Sequence, residues 1–335
     1  MRLAHPLTVL AVFLACAPAA RAQQPAAPVQ NPPQPYVEEL PGMGRPIDTA
    51  ATAARRARLL DRLGDAVVII PASRGRNLET DYIQDNDFRQ SNTFFYFTQL
   101  EQPSAWLLMS AHATGPDSVV LLLPDRIPQM ERWTGPKLGP DPLAVRLTGV
   151  AQVLSVARLD SIVTALKARR VPVYVPVDRY AQGLAPLDRL RADSSVTFRN
   201  LRPIVDSMRV VKDAAELAAL RRAIDITAEG HRQVIVNLRP GMFEYEIEAV
   251  LEGTFRRLGA DRVGFPSIVG SGPNSTVLHY DVTAAARTPA TSWWWTSAPS
   301  TRSTPPTSLA PTRCPAPSLR GRRPSTSWFW GRTRR

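Results

Sequence analysis

The sequence predicts an α/β protein made of two consecutive units, and three observations carry that prediction. Short β-branched and leucine-rich runs alternate with amphipathic stretches up to about residue 195. After Arg199 the pattern changes to long helices followed by a strand region rich in Gly, Pro and Asn. Beyond residue 285 both patterns stop, and Ser, Thr, Pro and Arg take over.

Composition sets the outer limits. A chain of 335 residues with 44% hydrophobic residues has room for two domains and their cores. The formal charge of +12 invites a polyanionic partner, but its location argues otherwise. From Arg287 to Arg335 there are nine arginines and no acidic residue, which leaves the body of the chain near +3. No nucleic-acid partner is expected on that balance.

The N-terminal 22 residues have the form of an export signal. Arg2 precedes the apolar run "LTVLAVFLACAPAA", and "ARA" at Ala20–Ala22 supplies the small residues that a signal peptidase reads. Cleavage near Ala22 makes the protein periplasmic or secreted. The run is too short for a stable membrane span. Cys16 after "FLA" offers a lipoprotein as the alternative, but Phe13 at the −3 position fits that signal poorly. Residues 23–44 are a Pro-rich linker. Cys16 and Cys314 both lie outside the predicted body, which therefore holds neither a disulfide nor a thiolate metal site.

Residues 45–195 form the first domain. "AARRARLLDRLG" predicts a helix closed by Gly64, and "AVVIIPA" a buried strand ended by Pro71. "TFFYFTQL" and "AWLLMS" predict two further strands, separated by the turn-prone "EQPS". "SVVLLLP" and "VPVYVP" predict two more, the second preceded by a helix around "LDSIVTALKARR".

Residues 200–284 begin a second domain. Asp213 with Glu216 three residues on is a capping-box arrangement, opening a helix whose Leu217, Leu220, Ile224 and Ala228 share one face. "RPGM" ends it at Pro240–Gly241, and "FEYEIEAVLEGTFRRLGA" is a second helix closed by Gly259. In "VGFPSIVGSGPNSTVLHYDV" a strand leads into a turn at Gly270, Gly272, Pro273 and Asn274, then into a strand-like run ending at His279–Tyr280.

Taken alone, a Gly-rich turn is a hairpin and a His beside a Tyr is a packed residue. Five segments in a fixed order change that weight: "DFRQSNTFFYFTQLEQPSAWLL", "ERWTGPKLG", "VDSMRVVKDAAELAALRRAIDIT", "RPGMFEYEIEA" and "FPSIVGSGPNSTVLHY". Together, over about residues 50–284, they resemble the aminopeptidase P family, the Xaa-Pro aminopeptidases of the pita-bread metallopeptidases. The resemblance implies an aminopeptidase P-type α/β domain followed by a pita-bread catalytic domain, here incomplete. It implies a homo-oligomer, a proline-containing peptide as substrate and two metal ions, usually Mn2+. His279 matches the histidine that lines the family's substrate pocket and contacts the reacting peptide. Trp133 matches a tryptophan that reaches a neighbouring subunit's active site, with a half-buried packing role as the alternative. Asp87 and Arg89 match a signature of the first domain, where they are expected to pair structurally.

The family's two metals are clamped by two Asp, one His and two Glu, and their bridging water attacks the peptide bond preceding proline. The first Asp is expected about fifteen residues beyond His279. What stands there is "TPATSWWWTSAPST", and after Asp281 the chain has no Asp, Glu or His. No metal is expected to bind this chain.

The genetic code explains the replacement. Trp is encoded only by TGG, and Thr codons begin with AC. Read from the third base, the codons of Trp293–Trp294–Trp295 with Thr296 therefore give Val-Val-Asp, whatever synonymous codon Thr uses. With G/C-rich choices a second Asp falls across Pro306–Thr307, about eleven codons on, which matches the family's spacing. "SWFWG" at Ser327–Gly331 contains a forced Val-Leu-Gly in the same frame. Residues 285–335 thus read as a frame-shifted translation of the metal-binding half, with the slip between about Tyr280 and Ser292. Two functions follow: an exported Xaa-Pro aminopeptidase by lineage, or a non-catalytic oligomerisation or binding module. The region after Arg199 is expected to be poorly packed, and the tail disordered.

Overall fold

The structure, a computed structural model, describes residues 46–75, 88–112, 118–178, 181–282, 293–296, 299–300 and 312–314. The expected export signal, the Pro-rich linker, Asp87 and most of the tail lie outside these residues.

In chain order the first unit runs α1 (Thr49–Leu63), β1 (Ala66–Pro71), α2 (Asn92–Thr98), β2 (Trp106–Ala111) and β3 (Ser118–Leu123). It continues with α3 (Pro128–Thr134), α4 (Pro142–Thr148), β4 (Gln152–Ser155), α5 (Leu159–Lys167), β5 (Val173–Val175), α6 (Ala185–Ala192), β6 (Phe198–Asn200) and α7 (Arg202–Val210). Its six strands form one mixed sheet in the order β4-β3-β2-β1-β5-β6. β1 lies antiparallel to β2, with Ala66 opposite Ala111, and parallel to β5, with Val67 opposite Val173.

Side chains along the central strands alternate between two cores, as the period-2 pleat requires. Val68, Ile70, Leu107, Met109, Leu121 and Leu123 face a layer holding Leu59, Phe94, Phe97, Val205 and Met208. Val67, Ile69, Leu108, Leu122 and Val173 face Leu159, Val163, Leu187 and Leu190 on the other side. A strand buried on both faces cannot alternate with polar residues, which is why "AVVIIP" is continuously apolar. The first core takes in α7 through Val205 and Met208, so it extends beyond the expected boundary at residue 195.

The expected strand "TFFYFTQL" is a helix. Ser91 Oγ accepts from the Phe94 amide at 3.4 Å, Thr98 Oγ1 donates to Phe94 O at 2.8 Å, and Gln99 closes α2 in the left-handed region (φ 53°). Two arginines of α1 satisfy its last carbonyls: Arg55 donates to Tyr96 O at 3.0 Å and Arg56 to Phe97 O at 2.9 Å. Orphan C-terminal carbonyls met by buried guanidinium groups favour the helix over the strand propensity of its aromatic residues.

The second unit comprises α8 (Ala214–Asn237), α9 (Glu244–Arg257), β7 (Arg262–Val263) and β8 (Ile268–Ser271). The capping box holds: Glu216 N donates to Asp213 Oδ1 at 2.9 Å, and Asp213 N to Glu216 Oε2 at 3.0 Å. The expected apolar face of α8 does not hold. Leu217 and Ile224 are exposed, and the helix instead buries Ile226, Gly230 and Val234. Gly230 decides the seam, because a Cβ there would lie 2.4 Å from Phe255 Cε1, so only glycine lets α9 come this close. Ile226, Val234, Ile247, Leu251, Phe255 and Val269 then close a third core, which corrects the expectation of poor packing after Arg199.

Three short strands complete the described residues: β9 (Trp293–Thr296), β10 (Pro299–Ser300) and β11 (Thr312–Cys314). β9 pairs antiparallel with β8, Trp293 opposite Ser271 and Thr296 opposite Ile268, and β10 pairs with β7. These pairings fall within the tail, most of which lies outside the described residues. Tryptophan and threonine are strand formers, and the open edge of β8 supplies the ladder.

Candidate functional site

The site grows out of the end of β8. Gly270 is its last glycine within the strand, and a Cβ there would stand 2.8 Å from Asn274 O. The chain therefore folds back tightly over β8 through a 3-10 turn at Gly272–Thr276, with Gly272 at φ 52°. The strand-like run expected before His279 is absent: the chain leaves the 3-10 turn and passes through a further turn at Leu278–His279. Small polar residues with local bonds, Ser275 Oγ to Gly272 O at 2.6 Å and Thr276 Oγ1 to Pro273 O at 2.8 Å, hold the turn against extension.

One carboxylate underlies this loop. Glu244, the first residue of α9, is wholly buried. Its Oε1 accepts from Ser271 N at 2.6 Å, Ser271 Oγ at 2.8 Å and Asn274 Nδ2 at 3.2 Å. Its Oε2 accepts from the Tyr280 hydroxyl at 2.8 Å, and that hydroxyl accepts in turn from Asn274 Nδ2 at 3.0 Å. A buried carboxylate is costly unless its lone pairs are filled, and these donors fill them. Glu246 Oε2 accepts from the Phe243 amide at 2.6 Å and so caps the start of α9.

His279 itself is exposed and makes no hydrogen bond or ion pair with any described residue. Val277 and Leu278, just before it, are 49% and 71% exposed. Trp133 sits on α3, where it is 88% exposed, so the half-buried packing role is not what the structure shows. α3 is fixed by Arg126, whose Nε and Nη2 reach the two oxygens of Glu131 at 2.9 and 2.7 Å and bring its carboxyl down to about 2. Among the described residues no hydrogen bond or ring contact joins Trp133 to His279.

Sequence reading missed two residues. The sequence shows Glu244 only as part of a helix and not as a buried acceptor. The signal for it lay in the Ser, Asn and Tyr donors of "GSGPNSTVLHY". In the first-domain signature the sequence points to Asp87 and Arg89, while the centre is Gln90. Its Oε1 accepts from Ser73 N at 2.7 Å and Ser91 N at 2.9 Å, and its Nε2 donates to Leu100 O and Gln102 O. No described ion pair involves Arg89.

Residues that could hold a metal do not converge. Among the described residues no three of His, Cys, Asp or Glu come together as a ligand group. Glu244, the buried carboxylate beneath the loop, is committed to its hydrogen bonds. The described residues thus do not by themselves assemble the two-metal centre that the resemblance implies.

Comparison with known proteins places these features. Residues 52–174 match the family model described as aminopeptidase P, N-terminal domain, and residues 218–291 match metallopeptidase family M24. A Xaa-Pro aminopeptidase of Escherichia coli K12 is 33% identical over 239 residues, covering 68% of this chain and 53% of that protein. A Xaa-Pro aminopeptidase of Haemophilus influenzae is 31% identical over 196 residues, covering 58% and 44%. This chain thus spans about half the length of the curated relatives it matches. Among solved structures, aminopeptidase P from E. coli with the inhibitor Pro-Leu gives a TM-score of 0.69 at 27% identity, covering 77% of this chain and 60% of that one. Proline aminopeptidase P II from Yersinia pestis gives 0.69 at 28%, covering 76% and 61%.

Proposed function

The chain belongs to the aminopeptidase P family, joining that family's N-terminal domain to part of an M24 metallopeptidase domain, and from that premise we propose a function on two levels. By lineage it is a Xaa-Pro aminopeptidase, releasing the N-terminal residue that precedes proline. As a polypeptide it binds peptides headed by Xaa-Pro at the His279 loop without cleaving them. The observation that carries this reading is the exposed His279 on a loop whose two ends are tied to one buried carboxylate. In intact relatives a divalent metal pair, Mn2+ by the resemblance, supplies the hydrolytic chemistry. Here the position of the first expected metal-binding Asp is taken by tryptophans, and after Asp281 no Asp, Glu or His follows.

What this chain's own residues do is limited to binding. His279 is free to donate to or accept from a peptide carbonyl or amide, and Val277 and Leu278 offer apolar surface to a proline ring. The further parts of the reading are a homo-oligomer using Trp133 and export after cleavage near Ala22. The exposure of that indole supports the first, and Arg2 with its apolar run supports the second. Among the described residues no helix is long and apolar enough to cross a membrane.

Purified protein with added Mn2+ and an Ala-Pro-headed peptide tests both levels. Peptide binding by calorimetry without release of alanine is the expected result. About two manganese per chain together with release of alanine would overturn the non-catalytic reading.

A further inference from the structure

We propose that Glu244 is a positioning residue, which sets the orientation of His279 through the Tyr280 hydroxyl. The inference rests on the reading above, in which His279 faces the peptide. It goes beyond that reading by naming the group that aims it.

The loop has no hydrophobic anchor near His279. Val277, Leu278 and Val282 are all exposed, so burial does not fix the segment. The only described side-chain bonds that tie its far end are those of Tyr280, the residue next to His279, to Glu244 Oε2 at 2.8 Å and Asn274 Nδ2 at 3.0 Å. At the near end the same carboxylate holds Ser271 through both its amide and its hydroxyl. Glu244 thus spans the entry and exit of the loop, and Asn274 braces the middle by reaching both Oε1 and the Tyr280 hydroxyl. Its rigid support is α9, whose Ile247, Leu251 and Phe255 lie in the third core. A group that only stabilised β8 against α9 would not need the Tyr280 bond. That bond sits one residue from the exposed imidazole.

The test uses the full chain with 13C-labelled histidine. Its four histidines, His5, His112, His231 and His279, give four ring signals, and the His279→Asn variant identifies one of them. In Tyr280→Phe and Glu244→Gln the His279 signal is expected to move toward the random-coil position, with His112 and His231 unmoved. In titrations with an Ala-Pro-headed peptide, these variants are expected to need about tenfold more peptide to shift His279, as for loss of a hydrogen bond to a charged group. An unchanged His279 signal in Tyr280→Phe overturns the proposal, and so does a change that His231 shares, because that reports general loosening. If Glu244→Gln fails to fold, Tyr280→Phe decides alone, since it removes one hydroxyl. If the peptide leaves the unmodified chain unshifted, the binding reading fails, and the ring signals still decide the role of Glu244.

Discussion

Arg55 on α1 donates through Nε to Asp213 Oδ2 at 2.8 Å and thereby joins the first domain to the N-cap of α8. The guanidinium is 95% buried, also donates to Tyr96 O, and lies 4.6 Å over the Tyr96 ring. Its removal strands a partly buried carboxylate and a helix-end carbonyl. Arg55→Leu is expected to cost about 3 kcal/mol in urea unfolding. Arg55→Lys should recover less than half of that, because an ammonium cannot reproduce the planar fork.

The same pair gives a pH dependence. Partial burial pushes the Asp213 carboxyl up, but its hydrogen bonds from Arg55 and the Glu216 amide outweigh that and leave it below its ordinary value of 3.8. A depressed folded-state value means that the stabilisation is complete above 3.8 and disappears as pH falls through the lower folded value. Chemical unfolding at a series of acidic pH values should show this loss in the parent chain. In Asp213→Asn that part of the pH dependence should be missing.

Gly230→Ala sets helix propensity against packing. Alanine gains about 1 kcal/mol in a helix interior. Its Cβ would meet Phe255 Cε1 at 2.4 Å and Leu251 Cδ1 at 3.0 Å, and Phe255 is only 1% exposed and has little room to retreat. Overpacking of this kind costs about 1–3 kcal/mol, so the net effect is expected to be a lower melting temperature. A rise in melting temperature would show that the α8–α9 seam is looser than these distances imply.

Trp133 separates association from stability. At 88% exposure it makes little contact within its own chain, so Trp133→Ala should change monomer stability by less than about 0.5 kcal/mol. Sedimentation velocity should show a smaller assembly for the variant at equal concentration. An unaltered distribution would remove the indole from the interface.

The reading frame is checked on the coding DNA. Sequencing between the codons for His279 and Trp293 should reveal the slip that turns Val-Val-Asp into three tryptophans. Mass spectrometry of the natural protein should then find tail peptides in the other frame. Peptides spanning Trp293–Trp295 as written would contradict the slip.

The α/β class and most strands were legible because a doubly covered sheet imposes continuous apolar runs, and "AVVIIP" and "SVVLLL" show them directly. The error at Asn92–Thr98 arose because Phe94, Tyr96 and Phe97 suit either a strand or a buried helix. The arginines that decide the matter lie about forty residues earlier on α1. The face of α8 was misread for a related reason. A count of large apolar residues favours Leu217 and Ile224, whereas the close approach of α9 is permitted by Gly230, which carries no apolar weight. His279 was found through its motif, but the carboxylate beneath it was not. Nothing local distinguishes Glu244 from the solvent-facing glutamates of an ordinary first helical turn.

The place of β1 in the middle of its sheet also fixes an order of events during synthesis. Val67 cannot gain its parallel neighbour until Val173 has left the ribosome, and the core on the opposite face of the sheet is complete only with Met208 of α7. Both lie well before Tyr280. A ribosome that reaches Tyr280 has therefore already translated every residue that the first sheet and its two cores need. Whatever follows Tyr280 is joined to a chain that already holds the complete set of contacts of its first domain.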